Sequence, residues 1–527
     1  MNEVIIGIDA GTSVIKAVAF DLAGRQLADA AVRNVYEQRA DGGAEQDMAA
    51  TWQRCVETLV ALQAELPDLK DHVVALAVTG QGDGTWLIDA HGEPCGAALL
   101  WLDGRAGQRV DDFRRTAADL ERYARSGTGL AACQQGPQLW WLEEHRPDQL
   151  ARAAHAMHCK DWLYLKLTGE VATDPSEGVF SFGNFRTRDY DETVIEALGL
   201  SHHRHRLPRL VDGTAEHAAL TRAAAAATGL PAGLPIVLAS IDVVCNAIGA
   251  GLRGGSREAL PIGTGCSILG STGMHMRHAP SAEAVTLDPE RAGYTVCLPL
   301  PGEYAQMQSN LACTINIDWL LELAAELIGQ IGGRTPTHAE LIARLDGWVR
   351  AAPVASLLYH PYISEAGERG PFIDQNARAA FIGLHSRHRF ADLARAVVEG
   401  LCLAARDCYE AMGGLSGEVR LTGGAARSEA LVATLAAVLE APVRGSRREE
   451  AGAAGAAMMA AVSIGAVRDM PAGIDGWVTP WLGEVVAPDA ALSERYRPHF
   501  ARYRQARRAL QPVWAERDQS AIAGLVQ

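Results

Sequence analysis

Lysine is nearly absent from this chain: Lys16, Lys70, Lys160 and Lys166 are the only four in 527 residues, and arginine carries the rest of the positive charge. No Gly-Lys-Ser/Thr occurs, which excludes a Walker-type phosphate loop. No basic block occurs either, and the formal net charge is -15 at pH 7. Nucleic acid and anionic membrane are therefore not expected partners, and any phosphate must be held by local backbone amides and helix ends. The ten cysteines lack a Cys-x-x-Cys and any Cys/His zinc spacing, so buried free thiols in a reducing compartment are expected. No run reaches ~18 apolar residues. The first residues carry Glu3 and Asp9 where a leader would have a basic region and an apolar core. A cytoplasmic protein is the expectation. The length exceeds the ~250–300 residues at which single cores stop growing, so two domains are expected. The glycine-rich stretch 249–255 is the natural boundary and gives domains 1–248 and 249–527.

What is there begins with two runs rich in valine, isoleucine and phenylalanine, Val4 to Ile8 and Val14 to Phe20, flanking a short polar turn. This is a β-hairpin pattern. In the turn Gly11 lets backbone approach an anion, Thr12 and Ser13 offer hydroxyls and amides, and Asp9 stands at a strand end where it can hold a magnesium-bound water. A plain tight turn uses the same residue types.

Further along, Gln26 to Ala31 reads as a third strand. Asp47 reads as the N-cap of a helix with Trp52, Val56, Leu59 and Val60 at helical spacing, and Val73 to Val78 as a buried strand ending at Thr79-Gly-Gln-Gly-Asp-Gly-Thr85. Trp86 to Ile88 and Ala98 to Leu102 read as a pair of short strands that delivers Trp101, Asp103 and Arg105 to one edge. Those three residues suit a salt-bridged strand end, and equally a ring with hydrogen-bonding groups for a sugar or polyol. His202, His203 and His205 read as a solvated loop in preference to a metal site.

The strand from Gly233 ends at Asp242 before an apolar helix start, so Asp242 is either a candidate base or a helix N-cap. From Ala259 the opening pattern recurs as strand, Gly263-Thr264-Gly265 turn, strand, which suggests a duplication with nucleotide between the halves. Val419 to Thr422 is a strand leading into the turn Gly423-Gly424. Glu450 precedes the small-residue helix Ala453 to Ala457, which allows a flat base to approach or another helix to pack closely.

Taken in order, these motifs resemble the FGGY carbohydrate kinase family over almost the whole chain. Asp9-Ala-Gly-Thr12 resembles its first phosphate motif, and Thr79-Gly-Gln81 through Trp101-x-Asp-x-Arg105 its sugar-side motif. Leu167-Thr-Gly169 with Thr173-Asp174, and the segment from Ala379 to Glu399, resemble further signatures. The resemblance implies an α/β, two-domain, actin/hexokinase-like (ribonuclease H-like) ATPase fold with duplicated domains around a central cleft. It implies ATP and Mg2+ as cofactors and transfer of the γ-phosphoryl group to a primary hydroxyl of a small polyol, with Asp242 as base and Asp9 at the metal. ATP would be held by Thr12, Ser13, Lys16, Gly263, Thr264, Gly423, Gly424 and Glu450, and the acceptor by Gln81, Asp83, Trp101, Asp103, Arg105 and Asp242. Where many members carry Gly-Gln-x-His, this chain has Gly80-Gln-Gly-Asp83. That departure, with the Gly-Gln-Gly-Asp-Gly-Thr-Trp run, makes erythritol the first expected acceptor and L-xylulose or another ketose or pentitol the alternative. Readings of another class are an actin-like ATPase and a non-catalytic sugar sensor. The only partner called for is the small-molecule polyol, and a homodimer is compatible with the sequence.

Overall fold

The protein's structure is a computed structural model that describes residues 3–256 and 264–515. Two sheets organise it. In the first, β1 (Val4–Ala10), β2 (Val14–Asp21) and β3 (Gln26–Arg33) form an antiparallel meander. The helix α1 (Met48–Glu65) then leads to β4 (Val73–Gly80), which lies parallel to β1. The helices α2 (Cys159–Thr168) and α3 (Pro175–Phe182) precede the edge strand β5 (Ala218–Ala219), and β6 (Pro235–Leu238) adds parallel to β4. The order across the sheet is β5-β6-β4-β1-β2-β3.

After the helix α4 (Asp242–Ala250), β7 (Gly265–Leu269), β8 (Gly273–Ala279), β9 (Tyr294–Cys297) and β10 (Tyr304–Asn310) build the antiparallel side of the second sheet. Past the long helix α5 (Phe390–Ala411), β11 (Val419–Thr422) and β12 (Val443–Ser446) add in parallel to β7, and Leu482–Val486 closes the edge as β13. The strand order is β9-β10-β8-β7-β11-β12-β13. In both sheets the first described strand is central, with antiparallel partners on one side and, on the other, parallel partners edged by one antiparallel strand.

Both faces of β1 are covered, which is why it reads as a near-continuous apolar run. Ile6 and Ile8 pack with Cys55, Leu59 and Leu62 of α1, whose first turn is capped by Asp47 accepting from Ala50 N at 2.9 Å. Ile5 packs on the other face with Val244 of α4 and with the helix α6 (Ala451–Ser463). That helix settles the use of the small-residue run. Ala453 to Ala457 are fully buried, and a Cβ at Gly7 would collide with the Ala453 carbonyl and one at Gly455 with the Cys245 carbonyl. Close packing of α6 on β1 and α4 between the two sheets therefore accounts for these residues, and no flat base approaches them.

Other local expectations are corrected. Trp86–Ile88 pairs with His155–Met157 and Ala98–Leu99 with Glu45–Gln46, while the two short runs meet each other through the antiparallel bridges Thr85 to Leu99 and Ile88 to Pro94 around the Asp89–Gly92 turn. Their alternation gave the strands but not the ladder partners, which lie far along the chain. His202 and His203 lie on a 3-10 turn, Ser201–Arg206, where their Nε2 atoms meet Glu143 Oε1 at 2.7 and 3.0 Å. His203 Nδ1 faces the Arg206 guanidinium at 3.0 Å, and that contact leaves no room for the Nδ1 proton a metal on Nε2 would require. All ten cysteines are buried and free. Among the described residues no helix is long and apolar enough to cross a membrane.

Candidate active site

The carboxyl ends of β1, β4 and β6 lie side by side along the first sheet. Asp9 stands beside Thr79 in the β1–β4 ladder, and Asp242 opens α4 just beyond β6. Such strand ends are where open α/β sheets bind ligands. Burial raises the Asp9 carboxyl to about 6, with Lys16 opposing and Glu450 adding to the rise. Asp242 is raised well above the usual carboxylate range, first by burial and then by the charge of Asp9. The Val243 N–H, 2.7 Å from Asp242 Oδ1, works the other way, and Glu177 and Asp83 add to the rise. Four acids, Asp9, Asp83, Glu177 and Asp242, thus share one electrostatic field.

The polar turn after β1 is wired into the structure. Thr12 Oγ1 donates to Gln81 Oε1 at 2.8 Å and accepts from Trp101 Nε1 at 2.9 Å. Gln81 in turn donates to Gln46 Oε1 at 2.8 Å, and Gln46 donates to the Thr12 carbonyl at 3.1 Å. Thr12, Gln81 and Trp101 therefore come together, and the first two engage protein partners. Ser13 is exposed, and its carbonyl accepts from Asn34 N at 2.8 Å. Lys16 Nζ reaches Glu450 Oε1 at 2.7 Å, tying the first hairpin to the start of α6.

Asp83 has a positive φ of 56° between Gly82 and Gly84. Its Oδ2 accepts from Tyr294 Oη at 2.9 Å and lies 3.5 Å from Cys133 Sγ, while Oδ1 is buried without a hydrogen bond. Burial raises its carboxyl, and the Tyr294 hydroxyl and the nearby Arg369 charge oppose the rise. Tyr294 and Arg369 come from the second half of the chain, so Asp83 is a contact between the halves. Asp103 and Arg105 form an ion pair at 2.6 Å. Asp103 Oδ2 also accepts from Ala44 N at 3.0 Å, and Arg105 adds Glu45 at 2.8 Å and lies over the Trp141 ring at 3.8 Å. The salt-bridged strand end describes these two, and Trp101 alone of the trio reaches the turn at Thr12.

In the second half, Gly263 lies outside the described residues. Thr264 is buried, and its carbonyl accepts from His278 N at 2.8 Å. The hairpin turn joining β7 to β8 is Gly270 to Thr272, and Leu269, not Thr264, lies against Gly423. Thr264 sits at the far end of β7, roughly 15 Å away at a rise of ~3.3 Å per residue. The strand expected from Ala259 into this turn lies outside the described residues. Gly423 has φ 94°, and a Cβ there would strike the Leu269 backbone, whereas Gly424 faces open space. Both line a cleft of about 1180 Å³ together with Thr422, Arg427, Ser446 and Glu449.

Matches to known proteins bear on this geometry. The model of the "FGGY family of carbohydrate kinases, N-terminal domain" fits residues 4–249, and that of its C-terminal domain fits residues 265–464. The chain belongs to the FGGY family of carbohydrate kinases. It is 54% identical over 513 residues to an erythritol kinase of Brucella abortus, covering 97% of each chain. It is 30% identical over 437 residues to a xylulose kinase of Escherichia coli, covering 80% of this chain and 82% of the other. Among solved structures, a xyloylose kinase from Brucella ovis superimposes with a TM-score of 0.83 at 26% identity, covering 97% of this chain and 100% of that one. The kinase therefore has the family's two-domain actin- and hexokinase-like ATPase fold, duplicated around a cleft, and is an ATP-dependent phosphotransferase acting on a carbohydrate or polyol.

Several residues of this kinase's cleft escaped the sequence. Glu177 accepts from Asp83 N at 3.0 Å, and Lys160 pairs with Asp161 at 2.7 Å, Asp174 at 2.9 Å and Glu177 at 3.2 Å. The Glu177 carboxyl is raised to about 7, mainly by burial, with His158 and Lys160 opposing. The rarity of lysine was the available signal. One of four lysines standing beside Asp161 and near Asp174 marks a cation with a fixed task. Tyr294 and Arg369 had no local signal, because only the fold brings them to Asp83.

Proposed function

We propose that the chain phosphorylates a primary hydroxyl of erythritol with ATP, Asp242 serving as general base. The observation that carries the reading is the position of Asp242, whose Oδ1 is held by the Val243 N–H while the carboxylate shares the cleft with Asp9 and Asp83. Phosphoryl transfer asks the protein mainly for positioning and charge neutralisation. Asp242 takes the hydroxyl proton as the oxygen attacks, and a carboxylate whose affinity for protons is raised by burial and by Asp9 suits that task. The end-to-end likeness to a protein described as an erythritol kinase supports the acceptor. So does Asp83, an acceptor-only carboxylate that receives hydroxyl donors.

Lys16, Glu450 and the amides of the turn at Thr12 and Ser13 lie at the phosphates, and the cleft at Gly423 and Gly424 takes the adenosine. The cleft's hard carboxylate oxygens, set close enough to raise one another's affinity for protons, fit a divalent cation. Asp9 would hold magnesium through water, and the ion would supply neutralisation of phosphate charge. The two domains, whose boundary lies after α4 and not inside it at residue 248, close on the acceptor, and the Tyr294 to Asp83 hydrogen bond joins them. Closure excludes water as a competing acceptor.

A second reading, a ketose kinase, follows from the likeness to xylulose kinase. Coupled ADP release over erythritol, other tetritols, pentitols, glycerol, L-xylulose and ribulose separates the two. The erythritol reading requires the highest kcat/KM with erythritol, and a preference for a ketose would replace it with the second.

A further inference from the structure

One buried polar group near Asp83 is used neither by the phosphates nor by Asp242. His158 precedes α2, and its backbone N–H and ring Nδ1 both meet Asp161 Oδ2, at 3.1 and 3.2 Å. Nδ1 therefore carries a proton toward that carboxylate, and the ring is locked in one orientation. The opposite nitrogen, Nε2, is buried without a hydrogen-bond partner on a residue only 3% exposed. A buried polar atom left in this state is unfavourable unless something arrives to meet it.

Asp83 Oδ1 is in the same state. Glu177 joins the two residues. Its Oε1 accepts from Asp83 N at 3.0 Å, and its Oε2 lies 3.7 Å from His158 Nδ1 and 3.2 Å from Lys160 Nζ. Lys160, fully buried, also holds Asp161 and Asp174. An ionic platform thus fixes His158 and Glu177 behind the turn that carries Asp83. With Nδ1 donating to Asp161, Nε2 of the neutral ring is an acceptor.

We propose that His158 is a specificity-determining residue, its Nε2 hydrogen-bonding one hydroxyl of a short acyclic polyol while Asp83 Oδ1 takes a hydroxyl on a neighbouring carbon. This rests on the reading of the chain as a polyol kinase. Two acceptors together fit two hydroxyls, each of which gives a proton. A ketose carbonyl has no hydrogen for either, so the pair favours a polyol over a ketone.

The test compares erythritol with butane-1,2,4-triol, which lacks one secondary hydroxyl, in wild type, His158→Asn and His158→Gln. Asparagine keeps a donor for Asp161 and removes Nε2, whereas the glutamine amide reaches toward the lost position. The inference expects His158→Asn to lower kcat/KM for erythritol about 10- to 100-fold, with a much smaller fall for the triol and an unchanged KM for ATP. His158→Gln should recover part of the erythritol preference. If both variants keep the wild-type ratio between the two acceptors, or lose activity equally on both, the inference is overturned. A wild type that turns over no polyol overturns the polyol-kinase reading and this one together. A wild type active on erythritol alongside an unchanged His158→Asn overturns this one alone.

Discussion

Thr12→Val removes one oxygen atom at nearly constant volume and strands two polar groups at once. The Gln81 carbonyl oxygen loses its donor at 2.8 Å, and the Trp101 ring N–H loses its acceptor at 2.9 Å. Gln81 is 3% exposed, so its stranded oxygen costs roughly 1–3 kcal/mol. Trp101 is half-buried, and water can reach its N–H, so its share is smaller. The sum, about 2–3 kcal/mol, is measurable as a lower urea midpoint at unchanged m-value. Freed of this bond, Trp101 and Gln81 no longer fix the acceptor wall, so KM for the polyol should rise more than KM for ATP. Thr12→Ser keeps the hydroxyl and should restore most of both quantities. A Thr12→Val protein as stable as wild type, with only KM for ATP raised, would refute the reasoning, because the hydroxyl would then serve phosphate and not the wall.

Asp242→Asn should lower kcat by about 10²–10⁴-fold with binding of both substrates retained, checked by turnover and calorimetry. Lys16→Met should cost less than about 1 kcal/mol of stability, since the lysine side chain is 40% exposed, yet raise KM for ATP in steady-state kinetics. Asp9 in the folded protein titrates near 6, above its unfolded value of 3.8. The folded state therefore binds the extra proton between those values, and this group's stabilisation is full below pH ~4 and lost as pH rises through ~6. Asp9→Asn should flatten that part of the melting-temperature profile of the ligand-free protein while abolishing turnover. An Asp9→Asn profile that keeps the wild-type fall would contradict the assignment.

The first sheet was largely legible because its signals are local. The alternation and turn of the first hairpin, the Asp47 cap and the run into Asp242 each sit within a few residues, and each element is present in the structure. Tertiary partners were not legible. The short runs at Trp86 and Ala98 pair with segments elsewhere in the chain, and Glu177, Tyr294 and Arg369 meet Asp83 only through the fold. The run at Ala453 supported two uses until the neighbouring glycines Gly7 and Gly455 showed which backbones come close.

The central claim, that this cleft moves the γ-phosphoryl group of ATP to a polyol with Asp242 as base, is tested most directly by erythritol-stimulated ADP release in wild type and Asp242→Asn side by side. The account predicts strong stimulation in the wild type and its loss in Asp242→Asn. No stimulation by any polyol or ketose, or an Asp242→Asn enzyme with wild-type turnover, would contradict it.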